Sequence, residues 1–441
     1  MTKPKKILFE CQNLTLATGT GIATYARNLA VQASNIGYES SALYGVKAKL
    51  GAKEAALDEI ALYDATPKHP SPSAFATSAL QWLHSDPFGI KPHKFSSAGI
   101  VVQQGPRPFT EGFAETLMVQ NLPARARNHF ARFGQLLTVK KLQDYDAFHT
   151  THIIPLVASG RPTICTIHDI IPLRLPATTL DDKRYFYRLV KQLTEKLDHI
   201  VTVSEQSKKD LIQFFKIDER RITNTYQSVD VDETVAQLSE AELAKDIELI
   251  FNLEYQGYYL FVGAIEPKKN VSRIIDAYST SGLKRPLILA GNLGWQYDAD
   301  LQKIKDEKFL THKISGETIR KEKSVQHLDY IPRKHLMRLI RGARALVFPS
   351  LYEGFGLPVL EAMALGTPVI TSNGSSLPEV AGDAAILVDP FDVNAISNAF
   401  KQLEHDDDLC KELSRRGLIQ AEKFSPQAYQ KRLADLYTGL L

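Results

Sequence analysis

Cysteine is scarce in this sequence: Cys11, Cys165 and Cys410 are the only three in 441 residues, and they lie far apart. That excludes a disulfide scaffold or a zinc framework. The first two sit inside apolar runs, where a reduced, buried thiol is the usual state. An excess of one charge is lacking as well. Lys and Arg total 53 against 50 Asp and Glu, a net +3, so contact with a polyanion or a membrane has to come from a local patch, and nucleic acid is not an expected partner. Long apolar runs are missing too. Lys3, Lys5 and Lys6 precede Ile7, Leu8 and Phe9, but Glu10 stops that run far short of a signal-peptide core. Residues 345–370 form the most apolar later stretch, yet they contain Glu353, Glu361 and several glycines and prolines, which excludes a bilayer-spanning helix. The expectation is a cytoplasmic protein without a leader or a membrane span.

What is present is average for a globular chain: 44% hydrophobic and 23% charged residues, with length enough for two or three domains. Short apolar runs alternate with helical segments. Residues 7–11 read as a strand, 22–35 as a helix ending at Gly37, and 40–44 as a second strand, which is the βαβ rhythm of a parallel sheet. Residues 163–167 and 200–203 continue it. A second series starts at 259–263 and runs through 287–290, 325–328, 345–348, 368–371 and 385–388. The fold class is therefore α/β, with an N-terminal Rossmann-like domain over 1–228, a linker and connecting helix over 229–257, and a C-terminal Rossmann-like domain over 258–441. Asp406 to Asp408 read as a solvated turn between helices.

The densest pattern runs from Phe348 to Pro368: strand, glycine loop, helix. Pro358 suits a first helical turn and Gly366 with Pro368 a stop. Gly354 and Gly356 leave backbone amides uncovered at the positive end of that helix, which suits a phosphate or a set of sugar hydroxyls. Glu353 in the loop and Glu361 one turn into the helix can face one crevice at two depths, and carboxylates accept paired hydrogen bonds from diols. Taken alone, two glutamates eight apart also read as a glycine turn with exposed acids. Downstream of residue 260, Gly263-Ala264-Ile265-Glu266-Pro267-Lys268-Lys269-Asn270 places two cations and an Asn helix cap at the carboxyl edge of a sheet. Upstream, Gly19-Thr20-Gly21 opens a helix after the first strand, without the third glycine or ribose acid of a dinucleotide fingerprint. His168 and Asp169 stand at the end of a strand, and Ser204 either reaches a crevice or caps the next helix.

Together, Gly354-Phe355-Gly356-Leu357-Pro358, Glu361-Ala362-Met363, Gly366-Thr367-Pro368-Val369 and Leu377-Pro378-Glu379-Val380 resemble the E-x7-E signature of the retaining family 4 glycosyltransferases. The resemblance implies a GT-B fold, two facing Rossmann-like domains with an interdomain crevice and a last helix packing back on the N-terminal domain. It implies catalytic roles for Glu353, His168 and Lys269. Donor contacts would come from Glu361 at the ribose, from Lys268 and Gly263 at the phosphates, from Gly354, Phe355, Gly356 and Leu357 in the loop, and from Gly19 and Gly21. Ala264 departs from it, since many members carry arginine directly after the glycine, so the charge has to come from Lys269, with help from Lys268. The implied activity is transfer of a hexose, with mannose carried by GDP as the working donor, to a glycan or lipid-linked acceptor with retention at the anomeric carbon, in cell-surface polysaccharide synthesis. No protein nucleophile stands out, so same-face attack is expected, with the leaving phosphate helping to take the acceptor proton. The rival is an inactive nucleotide-sugar-binding scaffold. Residues 124–142 carry Arg125, Arg127, Arg132, Lys140 and Lys141 without an acid, interleaved with Phe130, Phe133, Leu136 and Leu137, and read as a basic amphipathic helix for an anionic membrane surface. No cofactor and no metal are expected: Asp298-Ala299-Asp300 and Asp230-Val231-Asp232 stand outside the glutamate string.

Overall fold

The computed structural model describes residues 4–15, 21–46, 56, 59–60, 86–95, 101, 112–229, 231–296, 302–304, 310–315 and 318–441. Among the described residues ten strands precede the linker: β1 (Lys6–Glu10), β2 (Glu39–Val46), β3 (His93–Lys94), β4 (Thr116–Gln120), β5 (Leu137–Val139), β6 (Ala147–Thr150), β7 (Leu156–Ala158), β8 (Thr163–Thr166), β9 (His199–Thr202) and β10 (Ile222–Asn224). Eight of them form one sheet in the order β10-β9-β8-β6-β1-β2-β4-β3, parallel except for β3, while β5 and β7 pair separately. After the linker come β11 (Tyr259–Val262), β12 (Leu287–Ala290), β13 (Leu310–Ser315), β14 (Thr318–Lys323), β15 (Val325–Leu328), β16 (Ala345–Phe348), β17 (Val369–Ser372) and β18 (Ile386–Val388). Six of these make an all-parallel sheet, β15-β12-β11-β16-β17-β18, and β13 with β14 forms a hairpin.

The central strands read as unbroken apolar runs because helices cover both faces: every residue of β11, β12 and β16 is buried. Both sheets reverse their winding beside the first strand. In the N-terminal sheet the reversal falls between β1 and β6, and in the C-terminal sheet between β11 and β16. The carboxyl ends of strands flanking such a reversal open a crevice in which doubly wound folds place ligands.

Helices at the crevice are held by their own caps. Ser204 accepts from the amide of Ser207 and so caps Glu205–Phe215, which resolves its two readings in favour of the cap. Asn270 does not cap its helix with its side chain, contrary to expectation. It sits at φ 63° and its amide group donates to the carbonyls of Pro349 and Pro390, tying two loops together.

The last helix, Pro426–Leu440, packs on the N-terminal domain. Tyr437 hydrogen-bonds the buried His149 at 2.8 Å and Gln430 donates to Gln32 at 2.7 Å. Burial lowers the His149 pKa to about 3, which keeps this interdomain imidazole neutral.

The basic segment is not the single amphipathic helix expected. Its helix covers Leu122–Phe133 and stops at Gly134, which has φ 64°, before β5 begins. Phe130, Leu136 and Leu137 are core residues, so only Phe133 remains exposed, and Arg125 is paired with Asp86. The apolar stripe is therefore the side that packs inward. No helix among the described residues is long and apolar enough to cross a membrane.

Candidate donor site in the interdomain crevice

Two loops leave the C-terminal sheet at its reversal. The first follows β11: Gly263, at φ 147°, turns the chain into a short 3-10 turn, Pro267–Lys269. The second follows β16 and ends at Gly356, whose φ of 108° starts the helix Leu357–Ala364 with Pro358 in its first turn. The loops are stitched together, since the amide of Leu351 donates to the Lys268 carbonyl at 2.8 Å. Ser376 Oγ holds the carbonyls of Glu353 and Phe355 from the other side.

Charges converge there. Lys269 Nζ lies 2.7 Å from Glu353 Oε1 and 4.8 Å from the Phe348 ring centre, and Lys268 Nζ lies 3.4 Å from Glu266. Burial alone would push the Glu353 carboxyl up, but Lys269 and Lys268 override it and hold the group below its usual range. Burial likewise works against the Lys268 ammonium, which Glu353, Asp169 and Glu266 nevertheless hold above its ordinary value. Glu266 and Asp169 are pushed up by burial. Deeper in, Glu361 is 4% exposed and accepts from Arg333 Nη1 at 2.9 Å, with burial again raising its pKa. Neither glutamate of the motif is an exposed acid of a simple glycine turn.

The opposite wall is the carboxyl end of β8. His168 donates from Nε2 to the Thr151 carbonyl at 2.9 Å, which leaves Nδ1 as the bare nitrogen. Its ring stands on edge against Tyr25, with centroids 4.7 Å apart. Burial lowers its pKa to about 4, so it is a neutral hydrogen-bonding group near pH 7 and not a general acid. Gly354 reaches this wall directly: a Cβ there would lie 2.6 Å from the His168 carbonyl oxygen and 3.1 Å from the Asp169 side chain. Glu353, Lys269, Lys268, Gly354, Asp169 and His168 thus share one site.

Other expected contacts sit differently. The Phe355 ring is buried, 5.7 Å from Phe424 edge to face, so this residue has only its main chain to offer a ligand. Leu357 packs partly on the core, and Gly356 presents backbone at the helix start. Gly21 begins the helix Gly21–Asn35, whereas Gly19 lies outside the described residues, as do Asp230, Asp298 and Asp300. Asp232 caps a short helix through the Thr234 amide.

Sequence reasoning missed four groups. Glu379 accepts from the amides of Glu205 and Gln206 at 2.9 and 3.0 Å, clasping the domains through a helix N-terminus. Tyr352 donates to the buried Asp210, which also pairs with Arg174. Glu266 and Arg333 complete the set. Arg333 left a trace: a cation in the first turn of the helix Arg333–Arg341 opposes the helix dipole and calls for a local anion. A large groove, about 2070 Å³, lies at the opposite edge of the C-terminal sheet, lined by Gln256, Lys284, Arg285, Arg344 and Glu404 among others.

The chain resembles known proteins in both halves. The model of the glycosyl transferases group 1 matches residues 247–419, and that of the glycosyltransferase family 4 matches residues 91–233. O-antigen chain mannosyltransferase B of Escherichia coli is 36% identical over 267 residues, 59% of this chain and 66% of that protein. Serotype-specific mannosyltransferase WbdA of Escherichia coli is 29% identical over 287 residues, which cover 64% of this chain but only 34% of WbdA. The matches thus span under two thirds of these relatives' own lengths. The solved structure of Anabaena Alr3699/HepE in complex with UDP and glucose superposes with a TM-score of 0.65 at 14% identity, over 99% of this chain and 100% of that one. WaaG, a glycosyltransferase involved in lipopolysaccharide biosynthesis, gives 0.58 at 13% identity, over 98% of this chain and 100% of that one. These likenesses establish the GT-B fold.

The buried ion pair makes a stability prediction. Lys269→Met strands the Glu353 carboxylate and is expected to destabilise the C-terminal domain by about 3 kcal/mol, whereas adding Glu353→Leu should recover much of that loss. Urea unfolding of the two variants checks it; equal losses in the single and the double variant would contradict the pairing.

Proposed function

We propose a sugar-transfer reaction for this chain, which belongs to the group 1 glycosyltransferases of family 4. The observation that carries the reading is the meeting of Lys268, Lys269 and Glu353 at the reversal of one sheet with His168 and Asp169 at the carboxyl edge of the other. A nucleoside diphosphate sugar suits that arrangement: cations and helix amides for the diphosphate, a carboxylate for sugar hydroxyls, and Glu361 with Arg333 for the ribose. O-antigen relatives favour mannose as the sugar and a cell-surface glycan, lipid-linked or free, as the acceptor. As the bond from the anomeric carbon to the diphosphate stretches, charge grows on the leaving oxygens, and lysines placed there stabilise the transition state more than the ground state. His168, neutral and fixed by Thr151, orients the sugar. The resemblance to retaining enzymes supports retention by same-face attack, and among the described residues the only carboxylate paired with Lys269 is Glu353, which is assigned to the sugar hydroxyls.

The two glutamates are expected to fail differently. Glu361→Ala should weaken nucleotide binding about tenfold, the loss of a charge-assisted hydrogen-bond pair to a diol. Glu353→Ala should lower kcat by a hundredfold or more with a smaller change in donor Kd. Calorimetry and transfer assays with GDP-mannose separate the effects; full activity in both variants would remove the site assignment, and donor binding without transfer in the wild type would favour a scaffold.

Catalysis is proposed to need no divalent metal, because two lysines and oriented amides already supply the charge balance. Purified protein should keep its rate in excess EDTA. Loss of activity that Mn²⁺ or Mg²⁺ restores would overturn this.

Peripheral attachment to an anionic cytoplasmic membrane face is proposed on a surface wider than the one helix. Arg127 and Arg132 lie on the outer side of Leu122–Phe133, and Arg184, Arg188 and Lys191 on that of the helix Lys183–Lys196 beside it. Phe130 meets Tyr185 across the two helices at 5.3 Å between ring centres. Each cation near anionic lipid contributes about 1 kcal/mol. Co-flotation with phosphatidylglycerol vesicles at low salt, lost at high salt, is the expected result; no flotation at low salt would exclude the attachment.

A further inference from the structure

The N-terminal sheet has its own reversal, between β1 and β6, and an ion pair stands on it that the donor site does not use. Glu10 closes β1 and its carboxylate is fully buried. One oxygen accepts from the Gln12 amide at 2.9 Å, and the other lies 2.9 Å from His152 Nδ1, two residues past the end of β6. Thr151 Oγ1 donates to the Glu10 carbonyl, fixing the two strand ends to one another. His152 is not buried with its partner: its side chain is 22% exposed, and Nε2 has no partner among the described residues. Its neighbour Thr151 is the residue whose carbonyl holds His168, so the two imidazoles stand on one rim of the crevice.

We propose that His152, oriented by Glu10, is an acceptor-positioning residue, its Nε2 accepting a hydrogen bond from a hydroxyl of the incoming acceptor sugar. The inference rests on the glycosyl-transfer reading above. As a cross-link alone the pair is poor design, because burying a carboxylate costs more solvation than one ion pair returns unless the geometry serves something else. What the carboxylate does is bias the ring: 2.9 Å from Nδ1, though without hydrogen-bond geometry, it draws the proton of neutral His152 to Nδ1 electrostatically and leaves the lone pair on Nε2. A carboxylate that orients an imidazole toward a hydroxyl is a recurrent device in transfer chemistry. The position fits as well. Apart from His168 and Asp169 the donor groups stand on the C-terminal wall, so the rest of the carboxyl edge at the N-terminal reversal is the surface left for the second substrate.

The charge state gives the inference a signature. Burial works against the imidazolium, but Glu10 outweighs it and holds the His152 pKa above its ordinary 6.5. The groups facing the ring are Glu10 from β1 and His168 beyond β8, which is neutral, while the thiol of Cys165 meets His152 at its carbonyl and not at its ring. Protonated His152 has no lone pair, so acceptor binding should weaken as pH falls through that raised pKa and strengthen above it.

The test uses the whole chain with GDP-mannose as donor and p-nitrophenyl α-mannoside as acceptor probe. His152→Ala should raise the acceptor KM about tenfold and leave the donor Kd within twofold. His152→Gln, which keeps an acceptor atom, should restore part of the loss and abolish the pH dependence of the acceptor KM. Glu10→Gln, which spares the fold a stranded carboxylate, should move that inflection to lower pH. Unchanged acceptor KM and pH profile in all three variants, with transfer by the wild type, would overturn the role of His152 alone. No transfer by the wild type would overturn the mannosyl-transfer reading, and this inference with it.

Discussion

No side chain fits between Gly354 and His168. A Cβ at 354 would stand 2.6 Å from the His168 carbonyl oxygen, so the two domains can approach this closely only through bare backbone. Ser207 Oγ donates to the same carbonyl at 2.7 Å and sits 3.3 Å from the carbonyl of Gly354, bridging the contact. On one flank Tyr352 reaches Asp210, and on the other Glu379 takes two amides of the helix Glu205–Phe215. The spacing of the crevice follows from these contacts. Because of them, groups from four strand ends (β8, β11, β16 and, through Thr151, β6) act on a single volume.

The charge pattern of that volume has a consequence for binding. In the free protein each lysine is engaged: Lys269 with Glu353, Lys268 with Glu266. In the reading proposed above, an incoming diphosphate would compete for both, and as it drew Lys269 away, the Glu353 carboxylate would be released to accept from sugar hydroxyls. Phosphate binding and sugar binding are then coupled through one ion pair, which favours an intact nucleotide sugar over either half alone. Glu361 has Arg333 on one oxygen, and the proposed contact with the ribose diol would fall to the other.

Much of the fold was legible in the sequence, for physical reasons that can be named. Strands buried on both faces announce themselves as continuous apolar runs, so β1, β8, β9, β11, β12 and β16 were found to within about a residue. Residues 45–160 were not, in part because β3 has two residues and β5 and β7 three each, too few to form a readable run. The donor loop was legible because glycine, proline and glutamate at fixed spacing serve one local geometry. Its partners were hidden wherever the contact is made across the crevice: nothing local in Glu379, Asp210 or Glu10 indicates that each meets a group from a distant strand or the other domain. The basic segment misled for a complementary reason. Helical spacing of Phe130, Leu136 and Leu137 marks an apolar stripe, but a stripe facing the core and one facing a lipid surface have the same period, and these side chains face the core.

The account is tested most directly by a crystal structure of the protein with GDP bound. The phosphate oxygens are predicted within hydrogen-bond distance of Lys268 Nζ and Lys269 Nζ, with the ribose diol on Glu361 and the Lys269–Glu353 distance longer than 2.7 Å. Nucleotide seated instead in the groove lined by Lys284, Arg285 and Arg344, or bound with the Lys269–Glu353 pair intact, would contradict it.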